Sequence, residues 1–308
     1  MGAAPRGAYN SPLMDSPSGV ASDQGCLYSL LIAPRERHEE ILDTFVRPVA
    51  DSIRDHPDLN SLFFVRFSEP VWQLRFRVLG RRAWVEGDLR RDVESRVRDL
   101  EAAGTIESHE FQRYDRELER YGGEIGMGLA EKLFHADSLA CLDLLRIDRA
   151  GLLKKSRREL AMAVVDRFLD LTGFSAGERI EFYRYGYGWA IELKTWEAEE
   201  LAVLETRFQK LRPGLEALFY GEAAEDPARF YGGPEAAAAV ARFLERARPI
   251  VDAIRRELDA GRIRQHPMHL FWSYTHMMTN RLGVEATPEA ILRFFMARLL
   301  EERAKTAA

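Results

Sequence analysis

Three groups of residues carry chemically useful side chains at spacings that would let them act together. In Gln73-Leu-Arg-Phe-Arg-Val78, apolar Leu74, Phe76 and Val78 alternate with Gln73, Arg75 and Arg77. A period of two is that of a β-strand, so the apolar set takes one face and the polar set the other. Two guanidiniums on one face, with Gln73 beside them and Arg66 expected alongside from the preceding strand, could clamp a carboxylate or a phosphate. The same pattern also describes an antiparallel sheet whose second face is merely solvated.

The second group is Glu117 and Arg120, three apart in Glu117-Leu-Glu-Arg-Tyr-Gly-Gly123. On a helical turn such residues can pair with each other, which leaves a local salt bridge and a catalytic pair both open. Glycines 122 and 123 allow backbone conformations that other residues resist, so a structured turn is expected there. In the third group, His276 and Asn280 lie four apart and share a face of an expected helix. A histidine exchanges a proton near neutral pH, and Asn280 could orient it or a substrate. The alternative is a hydrogen-bonded structural histidine.

Other chemistries lack their signatures. His266 and His269 have HxxH spacing, but Pro267 intervenes and no carboxylate partner completes a zinc site, so no metal is expected. GxGxxG, GxxxxGK[ST] and GxSxG are all missing, and no cofactor is called for. Tyr183, Tyr185 and Tyr187 suit packing or a groove lining better than a cofactor box.

These groups must be placed by the surrounding elements. Cys26 to Ala33 reads as a strand, and Glu36 to Ile53 as a helix with Ile41, Phe45 and Val49 on one face and a kink at Pro48. Leu62 to Phe67 and Trp72 to Leu79 form a strand pair around Ser68-Glu-Pro70. Leu89 to Ala103 is expected to be a helix ending at Gly104, with a strand returning over Ile106 to Gln112. Helical spacing then dominates: Ile125 to Leu145, Lys155 to Leu171, Ala176 to Leu193, Glu197 to Phe208, Glu235 to Leu258, Met268 to Leu282 and Pro288 to Glu302, with a loop over Gly221 to Pro234. The fold class expected is α+β, an N-terminal antiparallel sheet with helices followed by a predominantly helical C-terminal half.

The 308 residues are 46% hydrophobic and 30% charged, enough for a substantial core. One domain over 26–308 is expected, preceded by a disordered tail over 1–25 that is rich in Gly, Ala, Pro and Ser. A net charge of −5 argues against a general binder of nucleic acid or anionic membranes. Two cysteines, Cys26 and Cys141, are too few for a disulfide framework. No run approaches the roughly 20 apolar residues that span a bilayer, so a cytoplasmic protein is expected.

In this order and at these separations, the groups resemble the thiopeptide-type bacteriocin biosynthesis family, the C-terminal elimination domain of lantibiotic dehydratases. The matching stretches are Phe63-Phe-Val-Arg-Phe-Ser-Glu-Pro70, Leu74-Arg-Phe-Arg77, Glu117 to Gly123, Ala130-Glu-Lys-Leu-Phe134 with Asp137-Ser138, and His276 to Leu282. Together they span most of residues 26–302. The resemblance implies release of glutamate from glutamylated Ser or Thr of a precursor peptide, leaving a dehydroamino acid. It assigns catalysis to Arg75, Arg77, Glu117, Arg120 and His276; Arg66, Gln73 and Asn280 are substrate-binding candidates from their own positions beside these groups. The arginines would hold the leaving carboxylates, and either His276 or Glu117 would be the base. Gln73 stands where relatives often carry His, and Phe67 where Tyr is common. The implied partners are the glutamylated precursor peptide and a separate tRNA-dependent glutamylating protein, with no direct nucleic-acid or membrane contact. A homodimer is compatible with the sequence. Pyridine synthases, which join two dehydroalanines in a formal [4+2] cycloaddition, resemble the same domain, and a non-catalytic peptide-presenting module is a third reading.

Overall fold

A computed structural model describes residues 23–193 and 195–307. The tail expected over 1–25 therefore lies, up to residue 22, outside the described residues, and residues 24 and 25 open the first strand. Four strands, β1 (Gln24–Ile32), β2 (Leu59–Phe67), β3 (Gln73–Arg81) and β4 (Ser108–Gln112), form an antiparallel sheet in the order β2-β3-β1-β4. The alternation expected of β3 holds, with Leu74, Phe76 and Val78 fully buried. They share a sheet face with Leu27 and Leu31 of β1 and with Leu62 and Phe64 of β2.

The helical stretch after β1 covers that face. It contains α1 (His38–Ile41), a wide π-helical turn over Leu42–Val46, and α2 (Arg47–Ile53). Ile41, Phe45 and Val49 are fully buried, and the Phe45 ring meets Phe76 edge-on with centroids 5.9 Å apart. Pro48 has no N–H to donate and sits in the first turn of α2, immediately after the wide turn that absorbs the local misfit. A second wide turn joins α3 (Arg82–Trp84) to α4 (Arg90–Ala102).

The second half is helical, as expected: α5 (Glu124–Arg149), α6 (Arg157–Leu169), α7 (Ala176–Glu192), α8 (Ala198–Tyr220), α9 (Pro227–Tyr231), α10 (Pro234–Asp259), α11 (Pro267–Arg281) and α12 (Ala286–Ala307). Ser156 with Glu159 and Ser175 with Glu178 form reciprocal capping boxes that start α6 and α7. Helix α8 runs past Phe208, where the sequence pattern stops, and carries Pro213 inside it. The segment read as a loop over 221–234 contains α9, capped by Asp226. Tyr183 is buried and Tyr187 packs on Trp196 and Phe294, in keeping with a packing role. Among the described residues no helix is long and apolar enough to cross a membrane.

The two halves meet along the outer edge of β2, where side chains take the place of a fifth strand. The backbone N–H groups of Leu62, Phe64 and Arg66 donate to His135 Nδ1 (3.1 Å), Ser138 Oγ (3.4 Å) and Asn280 Oδ1 (3.0 Å). In return, Arg281 Nε donates to the Phe64 carbonyl at 2.8 Å and Asn280 Nδ2 to the Arg66 carbonyl at 2.9 Å. Arg281 is fully buried and ion-paired to buried Asp137 of α5. Buried backbone polar groups must be paired, so these contacts fix α5 and α11 against the strand.

Candidate active site

The register of β3 sets Gln73, Arg75 and Arg77 on the face opposite the apolar core, beside Phe67, Val65 and Phe63 of β2. Arg66 does not join them. It pairs with Leu74, so the expected convergence of Arg66 with Arg75 and Arg77 is corrected by strand alternation: position 66 belongs to the other face. Its guanidinium bonds Glu39 Oε1 at 2.8 Å and the Arg281 carbonyl at 3.2 Å. Glu39 also accepts from Arg157 at 2.7 Å. Burial alone would raise the Glu39 carboxyl, but Arg66 and Arg157 more than offset it and hold it below the usual range.

Arg75 donates through Nε to Gln73 Oε1 at 3.1 Å, and its guanidinium lies 3.5 Å from the centre of the Phe67 ring. Gln73 is itself fixed by donating to the carbonyls of Glu69 (2.9 Å) and Val71 (3.3 Å) in the β2–β3 hairpin. Arg77 sits among aromatic rings, 4.1 Å from Tyr28, 5.1 Å from Tyr114 and 5.7 Å from Phe63. Its Nε is buried without a hydrogen-bond partner, and burial pushes its pKa down. Among the described residues, Arg75 and Arg77 are the two arginines that are not exposed and yet meet no carboxylate within ion-pairing distance. Ring faces soften the cost of a desolvated cation but do not neutralise it.

The Glu117 to Gly123 stretch forms the structured turn expected of it. Arg120 pairs with Glu117 at 2.9 Å and donates through Nε to Ser273 Oγ of α11 at 3.2 Å. Gly122 has φ +77°, and a Cβ there would meet the Ile263 side chain at 2.6 Å. Only glycine fits both the left-handed backbone and this approach.

His276 lies one turn beyond Ser273. Its Nδ1 is 2.7 Å from Glu289 Oε2 of α12, and its ring stacks on Trp272 with centroids 5.2 Å apart. Burial would raise the Glu289 carboxyl, but Arg293 and His276 overcome it and hold it at about 2. An ionised carboxylate only accepts hydrogen bonds, so Nδ1 carries the proton and Nε2 is left with a lone pair when the ring is neutral. That is the arrangement of a general base oriented by a carboxylate. Asn280, expected as a candidate to orient His276, is committed instead to the Arg66 backbone. Glu289, with Arg293 behind it donating to Thr275 Oγ1 at 2.9 Å, holds the ring.

His276, Asn280 and Arg66 line one cavity of about 620 Å³, together with Phe67, Trp72 and His38. Arg75 reaches its border through the Phe67 ring. Gln73, Arg77, Glu117 and Arg120 do not line it. The residues nominated from sequence thus fall into neighbouring groups: a cavity wall with the oriented histidine, a sheet face with two unpaired guanidiniums, and a turn whose Arg120 touches the histidine's helix. Sequence reasoning missed Glu289, which lies 13 positions after His276 on the next helix, a separation that marks no local motif. It also missed His38, a buried cavity residue whose pKa is lowered to about 4 by burial and then by Arg66.

An antiparallel sheet that carries Arg75 and Arg77 on one face, tied along one edge to a helix with a carboxylate-oriented histidine, defines an α+β protein whose side chains are chemically suited to proton transfer and anion binding. The chain belongs to the lantibiotic biosynthesis dehydratase C-terminal family, whose model matches residues 27–300. It is 27% identical over 177 residues to the subtilin biosynthesis protein SpaB of Bacillus subtilis, covering 56% of this chain and 17% of SpaB. Among solved structures, it is similar to the tRNA-dependent lantibiotic dehydratase MibB from Microbispora sp. 107891, with TM-score 0.70 and 23% identity over 96% of this chain and 29% of MibB. TsrL matches with TM-score 0.62 and 20% identity, over 92% of this chain and 96% of TsrL. TbtD, the pyridine synthase from thiomuracin biosynthesis, matches with TM-score 0.60 and 15% identity, over 90% of this chain and 98% of TbtD. The chain therefore spans less than a third of SpaB or MibB and nearly the whole of TsrL or TbtD.

Proposed function

We infer that the protein is a lyase that eliminates glutamate from glutamylated Ser or Thr of a ribosomally made precursor peptide, giving dehydroalanine or dehydrobutyrine. The observation that carries this reading is the pair Arg75 and Arg77, two largely buried guanidiniums on one sheet face, packed against aromatic rings and without counter-charge. Such cations call for an anionic ligand, and a glutamyl ester supplies one free carboxylate at the outset and a second as the ester bond breaks. His276 Nε2 takes the Cα proton, the electron pair forms the Cα–Cβ double bond, and the Cβ–O bond breaks to expel glutamate as a carboxylate. Arg75, Arg77 and Arg120 stabilise the developing negative charge. Glu289 stabilises the imidazolium that results, and Glu117 holds Arg120. Gln73 positions Arg75, while Arg66 and Asn280 shape the cavity that takes the peptide around the reacting residue. The substrate arrives already esterified, supplied by a tRNA-dependent glutamylating activity, and no cofactor takes part.

A second reading, pyridine formation from two dehydroalanines, is favoured by the likeness to TbtD along almost its whole length. Incubating the purified protein with a glutamylated precursor peptide, and separately with the same peptide bearing two dehydroalanines, tests both by mass spectrometry. Loss of glutamate from the first peptide is the expected result. Reaction of the second alone, with release of the leader, would replace elimination by cycloaddition, and inertness towards both would leave a peptide-presenting module.

A further inference from the structure

Away from the candidate active site, α2, α5 and α10 enclose a cavity of about 220 Å³ whose charged lining is Arg47, Arg54, Arg242 and Arg246 against Asp51 and Asp143. This excess of guanidiniums occurs in a chain of net charge −5, so it does not follow from average composition. Asp143 serves two of the four, at 3.0 Å from Arg242 and 3.8 Å from Arg47. Asp51 is paired with Arg54, and Arg246 meets no carboxylate within ion-pairing distance among the described residues. Arg47 is the telling member. Its side chain is only 14% exposed, its nearer ion pair, to Asp43, is 3.5 Å long, and its Nη2 is turned to the Leu142 carbonyl. Burial pushes its pKa down, and Arg146 adds to that. A partly desolvated cation with long ion pairs, facing three more guanidiniums across a small cavity, is held against its own repulsion.

We propose that this cavity is a phosphate-binding site. Four guanidiniums and two carboxylates line the cavity, and Asp43 behind Arg47 is taken by Arg149 at 2.7 Å, so an excess of two positive charges remains, which a dianion matches and a single carboxylate does not. Arginine forks bind tetrahedral oxyanions through paired N–H donors. The volume is below the roughly 300 Å³ at which pockets begin to enclose drug-sized ligands, so the site takes inorganic phosphate or the phosphate group of a small monoester rather than a whole nucleotide. The proposal is independent of the chemistry assigned to His276.

Thermal unfolding and calorimetry of the full chain, titrated at constant ionic strength with inorganic phosphate, glycerol phosphate, sodium glutamate or sodium chloride, test it. A saturable rise in melting temperature with phosphate, absent with chloride and glutamate, is expected. The tighter of phosphate and glycerol phosphate identifies whether the free ion or a monoester is the better ligand. Arg246→Ala removes an exposed, unpaired guanidinium and should weaken phosphate by about tenfold or more while leaving the unliganded melting temperature unchanged. Arg54→Gln serves as a second variant and should weaken it similarly. Equal shifts with chloride would reduce the effect to screening, tighter binding of glutamate would make it a carboxylate site, and undiminished binding in both variants would place the phosphate elsewhere; each of these overturns the proposal.

Discussion

At the scale of single residues, the protein separates two ways of handling a charged side chain. Glu289 is buried and fully compensated, with His276 on one oxygen and Arg293 on the other. Arg77 is enclosed by rings and left without an anion. A buried cation kept unpaired costs stability, so its replacement by an apolar residue of similar length should be tolerated by the fold. Arg77→Met is therefore expected to keep or raise the unfolding free energy measured in urea, by about 1 kcal/mol at most, while glutamate release falls on the order of 100-fold or more. A variant that loses stability and activity together would make Arg77 a structural residue. The pattern Leu74-Arg-Phe-Arg77 announced these two arginines because a period of two survives in any strand. What it could not announce was that Arg66 faces the other way, since that depends on pairing with Leu74, one residue out of step with the Arg75 pairing.

At the scale of elements, the contact between α11 and β2 places His276 relative to the sheet. Asn280 supplies both an acceptor and a donor to the Arg66 backbone, so the helix one turn after His276 is locked in height and rotation against the sheet. Asn280→Ala leaves a backbone N–H and a carbonyl unpaired and should cost about 2 kcal/mol in urea unfolding. It should also slow glutamate release, because His276 loses its fixed distance from the sheet. Full stability in this variant would mean that water substitutes for the amide. Most strands and helices were legible from periodicity, with ends displaced by a few residues. Helix α8 overruns its expected end at Phe208 and continues through Pro213 to Tyr220, with Leu218 and Phe219 buried. The Glu289 partnership was illegible, because it joins two helices whose packing no local spacing encodes.

At the scale of the whole molecule, the charges that orient His276 also set behaviour in acid. Glu289 is held at about 2 in the folded protein against an ordinary 4.5, so its contribution to stability is present above pH 4.5. Protonation in the unfolded chain begins first, and the contribution is lost as the pH falls from 4.5 towards 2. Melting temperature should therefore drop through that window, and Glu289→Gln should be less stable at pH 7 but lose less on acidification. Parallel acid profiles for the two proteins would show that the carboxylate is not held as described. The α+β class and the helical C-terminal half were evident from the sequence, whereas the joint between the halves was not. It consists of side chains reaching backbone atoms, and such bonds leave no periodic trace.

That joint has a protective consequence. A bare edge strand offers its unpaired N–H and carbonyl groups to any extended chain, including another copy of the same protein or the flexible peptide on which such an enzyme would act. In β2 those groups are already taken by His135, Ser138, Asn280 and Arg281. On that side the sheet cannot recruit a further strand. Fibre-like stacking is blocked there, and a peptide cannot be captured by main-chain pairing along this stretch of β2.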